Sequence, residues 1–164
     1  PLVKIDMIRG VRTPEEIKKL ADVVQEIMLD KFAAPAEIAI KMLVPPPPFL
    51  PSLSSAIIFA TPFHSMTSSL TNFSLKGKTQ HEPYELIFED TGLSIPRTDK
   101  LILIQIFQQG RDAEKKQAIY AALAERLENE CGVPKTDLVV SCSANTKEDW
   151  SFGLGRAQFL TGEL

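Results

Sequence analysis

The sequence predicts an α/β (α+β) fold: a tandem β-α-β duplication whose four strands make one mixed sheet with two helices on one face. Three observations carry that expectation. A strand-like start runs into a capped amphipathic helix, the same pair recurs in the second half, and a stretch of foreign composition separates the copies. With 164 residues, 44% of them hydrophobic, the chain can bury one core and reads as a single domain.

Leu2-Val3-Lys4-Ile5-Asp6-Met7-Ile8 alternates in the manner of a strand. It starts one residue after Pro1, so forming the strand holds the N-terminal nitrogen in place instead of leaving it on a frayed end. That nitrogen is a secondary amine, and burial or a nearby cation lowers its proton affinity. A free α-amino group titrates at about 8, so a modest depression leaves it neutral and basic at physiological pH. The plain alternative is that Pro1 is only the residue left by removal of an initiator methionine.

Thr13-Pro14-Glu15-Glu16 then combines an N-cap, proline at the first helical position and a capping-box glutamate. Ile17, Leu20, Ala21, Val24, Ile27 and Met28 form a helical stripe that ends near Phe32 to Pro35. Residues 1–37 are thus the first β-α unit. Residues 38–78 read as an insertion, without an acidic residue from Ile38 to Gln80 and carrying Pro45-Pro46-Pro47-Pro48 and a serine-rich run. Order is expected to resume at Thr79, with a strand at Glu85-Leu86-Ile87-Phe88-Glu89 and a turn at Asp90-Thr91-Gly92. Leu101 to Phe107 is apolar enough for a central strand. Asp112 caps a second helix with Ile119, Ala122, Leu123 and Leu127 on its apolar face, closed by Gly132 with Pro134 beyond. Arg12 aligns with Arg111, Glu15 with Glu114, Leu20 with Ile119, Val24 with Leu123, Met28 with Leu127 and Pro35 with Pro134, all at one offset. In the strands Pro1 falls on Leu101. Each half needs the other to cover its apolar face.

Composition excludes several classes. The net charge is −3 and no basic stripe is present, which argues against nucleic acid. Two cysteines, Cys131 and Cys142, and two histidines make neither a disulfide framework nor a metal-ligand spacing. No apolar run is long enough to span a bilayer, and no signal peptide is recognised, so the expected location is the cytoplasm.

Pro1 opening a strand, the two β-α-β halves, Gln109-Gly110-Arg111 and the run from Asp149 to Gly162 together resemble the tautomerase superfamily. The Trp150-Ser151-Phe152-Gly153-Leu154-Gly155-Arg156-Ala157-Gln158-Phe159-Leu160-Thr161-Gly162 stretch is the most specific part, and within the superfamily it is most similar to malonate semialdehyde decarboxylase and its relatives. The resemblance covers residues 1–37 and 79–164. It implies a homotrimer with Pro1 at the floor of each active site, where it acts as a neutral base or, in the decarboxylase and hydratase branches, as a cation. It further implies that two arginines before the second helix hold a substrate carboxylate, that an aspartate after the first helix tunes the proline, and that aromatic residues wall the pocket.

Arg111 stands in the place of the second arginine, near a helix N-terminus where an anion is favoured. Gln109 stands in the place of the first, able to hydrogen-bond a carboxylate but not to neutralise it. Trp150, Phe152 and Phe159 match the apolar wall, with ordinary core packing as their other reading. The family's Asp-Arg-Tyr-Gln after Glu37 is replaced by Ile38-Ala39-Ile40-Lys41, with Glu37 itself one position away. Losing the anion and keeping Arg111 both lower the proton affinity of Pro1. The expected activity is therefore keto-enol tautomerisation of a small 2-oxo acid such as phenylpyruvate. Pro1 is the base, Arg111 the carboxylate clamp, and no metal, nucleotide or organic cofactor takes part. Three alternatives stay open: decarboxylation or hydration of a three-carbon acid by a cationic Pro1, a structural homologue whose site the insertion has disabled, and a binding module using the polyproline segment.

Overall fold

The computed structural model describes residues 1–32, 75–88 and 92–163. Along the chain come β1 (Leu2–Ile8), α1 (Pro14–Phe32), β2 (Leu75–His81), β3 (Ile102–Gln109), α2 (Ala113–Cys131), β4 (Leu138–Asn145) and a single-turn helix, α3 (Gln158–Thr161). The strands form one sheet in the order β2-β1-β3-β4. β1 is parallel to β2, β3 is parallel to β4, and the central pair β1–β3 is antiparallel. Two β-α-β units thus join through their first strands, as the duplication requires.

Both long helices begin where the caps place them. The Thr13 N–H donates to Glu16 Oε2 at 2.8 Å and the Glu16 N–H donates to Thr13 Oγ1 at 3.2 Å, a reciprocal capping box. Asp112 Oδ1 accepts the Lys115 N–H at 2.7 Å, and Gly132 closes α2 at φ 65°, a conformation that costs glycine no steric strain. The stripes of α1 (Leu20, Val24, Ile27, Met28) and α2 (Ile119, Leu123, Leu127) pack on one face of the sheet. There they meet Val3, Ile5 and Met7 of β1 and Ile102, Ile104 and Ile106 of β3. The alternate row of β3, Leu103, Gln105 and Phe107, is half-buried on the face away from the helices. On that face Asp6 is buried, with Oδ1 2.8 Å from His81 Nε2 and Oδ2 3.2 Å from Lys4 Nζ.

One expected strand is misplaced in the sequence reading. Residues 85–88 are turn and irregular chain with Tyr84 and Ile87 exposed, and the strand is instead Leu75–His81. β2 therefore begins inside the stretch assigned to the insertion. Among the described residues it pairs with β1 alone, at the sheet edge, so Leu-Lys-Gly-Lys-Thr-Gln-His needs neither apolar alternation nor β-branched bulk, and lysines suit an edge strand. The tetraproline, Glu37 and Ile38 to Lys41 lie outside the described residues. No described helix is long and apolar enough to cross a membrane.

Candidate active site

The start of β1, the end of α1 and the approach to α2 converge on Pro1. Its ring precedes Leu2, and the antiparallel register that pairs Leu2 with Phe107 brings it beside the last turn of chain before α2. Pro1 is half-buried. Burial, and secondly the Arg111 guanidinium, hold its amine below the usual range of about 8. Desolvation penalises the prolinium because water no longer solvates the charge, and a neighbouring cation repels it.

Arg111 is held from the protein side. Its Nε donates to the Phe32 carbonyl at 3.3 Å, and its Nη1 donates to the carbonyls of Gln109 at 2.7 Å and Gly110 at 3.1 Å. Its Cζ sits 5.8 Å from the centre of the Phe32 ring, within cation–π range. The C-terminal residue of α1 thus orients the cation that precedes α2. The α2 N-terminus itself is already capped, since Asp112 takes the Lys115 N–H and that bond is the main reason its carboxyl lies below the ordinary range. A substrate anion would therefore meet Arg111 before the helix amides. Two of the three nitrogens of Arg111 are committed to carbonyls. Among the described residues Nη2 has no acceptor.

The sequence-predicted residues are brought together unevenly. Pro1 and Arg111 are neighbours. Gln109 supplies its backbone carbonyl to Arg111, while its side chain belongs to the half-buried row of β3, in register with Asn145 of β4. Trp150, Phe152 and Phe159 form a cluster of their own. Trp150 stacks on Phe152 at 5.6 Å with ring planes 5° apart, and Phe152 meets Phe159 edge-on at 5.2 Å. Trp150 Nε1 donates to Asn145 Oδ1 at 2.9 Å, and Gln158 ties the loop by accepting the Phe152 N–H and donating to the Gly153 carbonyl. Among the described residues no hydrogen bond, ion pair or ring contact links this cluster to Pro1 or Arg111. Leu154 and Leu160 beside it are exposed.

The pseudo-equivalent corner in the other half differs in chemistry. Arg12, the counterpart of Arg111, donates from Nη2 to the Lys100 carbonyl at 2.6 Å among the carboxylates of Glu16, Asp137 and Asp99. Leu101, the counterpart of Pro1, contributes an amide N–H, which donates to the Thr98 carbonyl at 3.1 Å. At that corner a backbone amide takes the place of the Pro1 amine, and Arg12 Nη1 is buried with no hydrogen-bond partner among the described residues.

One residue of the Pro1 corner escaped the sequence reading. Gln108 is 2% exposed and lies on the helix-facing row of β3. The signal was present: Ile102, Ile104 and Ile106 set an alternation that requires an apolar residue at 108, and the chain has glutamine.

The sequence and the fold have counterparts among known proteins. A family described as "Tautomerase enzyme" matches residues 78–153. The chain is 35% identical over 164 residues to "Probable tautomerase YrdN" of Bacillus subtilis (strain 168), covering 100% of this chain and 99% of that protein. Among solved structures, malonate semialdehyde decarboxylase, described with decarboxylase and hydratase activities, superposes with a TM-score of 0.72 at 32% identity and covers 100% of this chain and 99% of that one. A fused 4-OT symmetric trimer shares the fold at a TM-score of 0.61 and 16% identity, covering 99% of both chains.

Proposed function

This chain belongs to the tautomerase superfamily of enzymes, and on that premise we propose that it interconverts the keto and enol forms of a small 2-oxo acid of the phenylpyruvate type. The observation that carries the reading is the state of Pro1, whose amine burial and Arg111 both push towards the neutral, basic form. Arg111 clamps the carboxylate through Nη2, with Phe32 and the Gln109 and Gly110 carbonyls holding the guanidinium in place. In the enol-to-keto direction the Pro1 nitrogen takes the enol hydroxyl proton as the C–O bond becomes a carbonyl. In the same electron shift the pair of the carbon–carbon double bond moves to C3 and takes a proton from the prolinium, whose N–H pair returns to nitrogen. The step is redox-neutral and restores Pro1, so its chemistry requires no cofactor.

The assembly proposed is a homotrimer. Supporting it are the half-buried Leu103, Phe107 and Val139 on the helix-free face, the exposed Leu154 and Leu160, and the trimeric fused relative. In a trimer the Trp150–Phe152–Phe159 stack of one subunit can wall the Pro1 site of another, and Gln109 can present its amide across the same boundary. The mass in solution is expected to be three times that of one chain, and a monomer that turns over substrate would remove this assembly from the mechanism.

The test of the reaction is the pH dependence of kcat/KM for phenylpyruvate enol. Because the amine is lowered and its unprotonated form is the base, the rate should rise with pH through an apparent pKa below about 8 and then level off. The likeness to malonate semialdehyde decarboxylase favours a second reading, decarboxylation by a cationic Pro1. Turnover of malonate semialdehyde that falls as pH rises, with none of the enol, would move the assignment there.

A further inference from the structure

Gln108 ends the core-facing column Ile102, Ile104, Ile106 on β3. It is 2% exposed, and among the described residues neither its Nε2 nor its Oε1 has a hydrogen-bond partner. Other described side chains have one orphaned polar atom each, whereas Gln108 has both its donor and its acceptor unmet. A buried amide with no partner is costly, and an apolar residue of the same size would avoid the cost. Its position says what the amide can serve. The register pairs Val3 with Ile106 and Leu2 with Phe107, and extending it by one row past the end of β1 sets Pro1 against Gln108. Side chains of facing residues in an antiparallel pair share a face, so the amide and the pyrrolidine ring lie on the same side of the sheet. Arg111 is three residues further along the chain, oriented by its own carbonyl partners.

We propose that Gln108 is a substrate-binding residue, its carboxamide holding the 2-oxygen of the 2-oxo acid while Arg111 holds the carboxylate. This inference deepens the tautomerase reading and rests on it. Nε2 donates to that oxygen in the keto form, where the carbonyl accepts, and Oε1 accepts from it in the enol form, where it bears a proton. One neutral amide can therefore serve both partners of the interconversion without adding a charge that would alter Pro1. Its emptiness before binding also gives specificity. A ligand lacking the 2-oxygen leaves the amide unpaired, which a site built to hydrogen-bond that oxygen discriminates against.

Titration calorimetry separates this role from the reaction itself. The probes are phenylpyruvate in its keto form and phenylacetate, a shorter acid that retains the carboxylate and the ring but has no 2-oxygen. Wild type, Gln108→Met and Gln108→Leu are compared. In both variants phenylpyruvate affinity should fall roughly tenfold and phenylacetate affinity should stay within about twofold. The melting temperature should be unchanged or higher, since an orphaned amide has been replaced by hydrocarbon. Equal losses for the two ligands, no loss for either, or a wild type that binds neither would overturn the inference. So would a lower melting temperature with ligand discrimination intact, because the amide would then serve a protein partner. A wild type that shows the selective binding but no tautomerase activity would refute the proposed reaction and leave the role of Gln108 standing.

Discussion

Replacing Pro1 with alanine lowers kcat/KM for phenylpyruvate enol by at least about a hundredfold, the low end of what a positioned general base supplies. Alanine keeps an amine at the chain start, so the loss reports geometry more than basicity. The pyrrolidine ring fixes the direction of the nitrogen lone pair, whereas a primary amine rotates about its Cα bond and carries a further hydrogen. The fold should be indifferent to the change. The strand hydrogen bonds of β1 begin at Leu2, and the core column begins at Val3. Stopped kinetic assays beside thermal melts of the two proteins make the measurement. A variant that keeps most of its activity at an unchanged melting temperature would remove Pro1 from the chemistry.

Arg111→Ala is expected to raise KM for the enol acid between about ten- and a hundredfold, the value of a charge-assisted hydrogen bond to a carboxylate. A clamp on a group that does not react acts alike in ground and transition states, so kcat should move less than KM. The pH profile carries a second signature. Arg111 depresses the Pro1 amine, so deleting the guanidinium lets its proton affinity rise. The rising limb of the rate therefore shifts to higher pH, but not all the way to that of a free amine, because burial, the larger cause, remains. Arg111→Lys should hold the limb near its wild-type position while losing the carbonyl contacts that orient the guanidinium and its Nη2. An unchanged KM with an unshifted limb would place the clamp elsewhere.

Much of the fold was legible because its signals are local. Thr13, Glu16, Asp112 and Gly132 announce helix ends by the backbone groups they satisfy, and these are the groups the structure shows them satisfying. The apolar stripes of α1 and α2 and the column of β3 are read the same way. β2 was illegible because an edge strand is specified by its pairing with β1, which leaves no periodic mark in Leu75 to His81. At the candidate site, the sequence singles out Pro1 as a secondary amine opening a strand and Arg111 by the family resemblance and its place before a helix, and the structure makes the two neighbours. Gln108 was passed over because the strand was taken to end at Phe107, one residue before its alternation fails. How the aromatic cluster relates to Pro1 is not a property of one chain's sequence. Trp150, Phe152 and Phe159 pack on one another through neighbours close in sequence, and nothing in their spacing says which surface they face.

The fused repeat also sets a stoichiometry. In the proposed mechanism the base is a chain end, and two units joined in one chain share a single beginning. Leu101 occupies the matching place in the second unit, but its nitrogen is an amide, its lone pair delocalised into the carbonyl and its proton given to Thr98. No substitution there, proline included, could turn that nitrogen into a proton acceptor. Under the proposed mechanism, two repeats in one chain would carry one such base where separate chains would carry two. The cation facing the Leu101 corner, Arg12 of the first unit, lies instead among Glu16, Asp99 and Asp137.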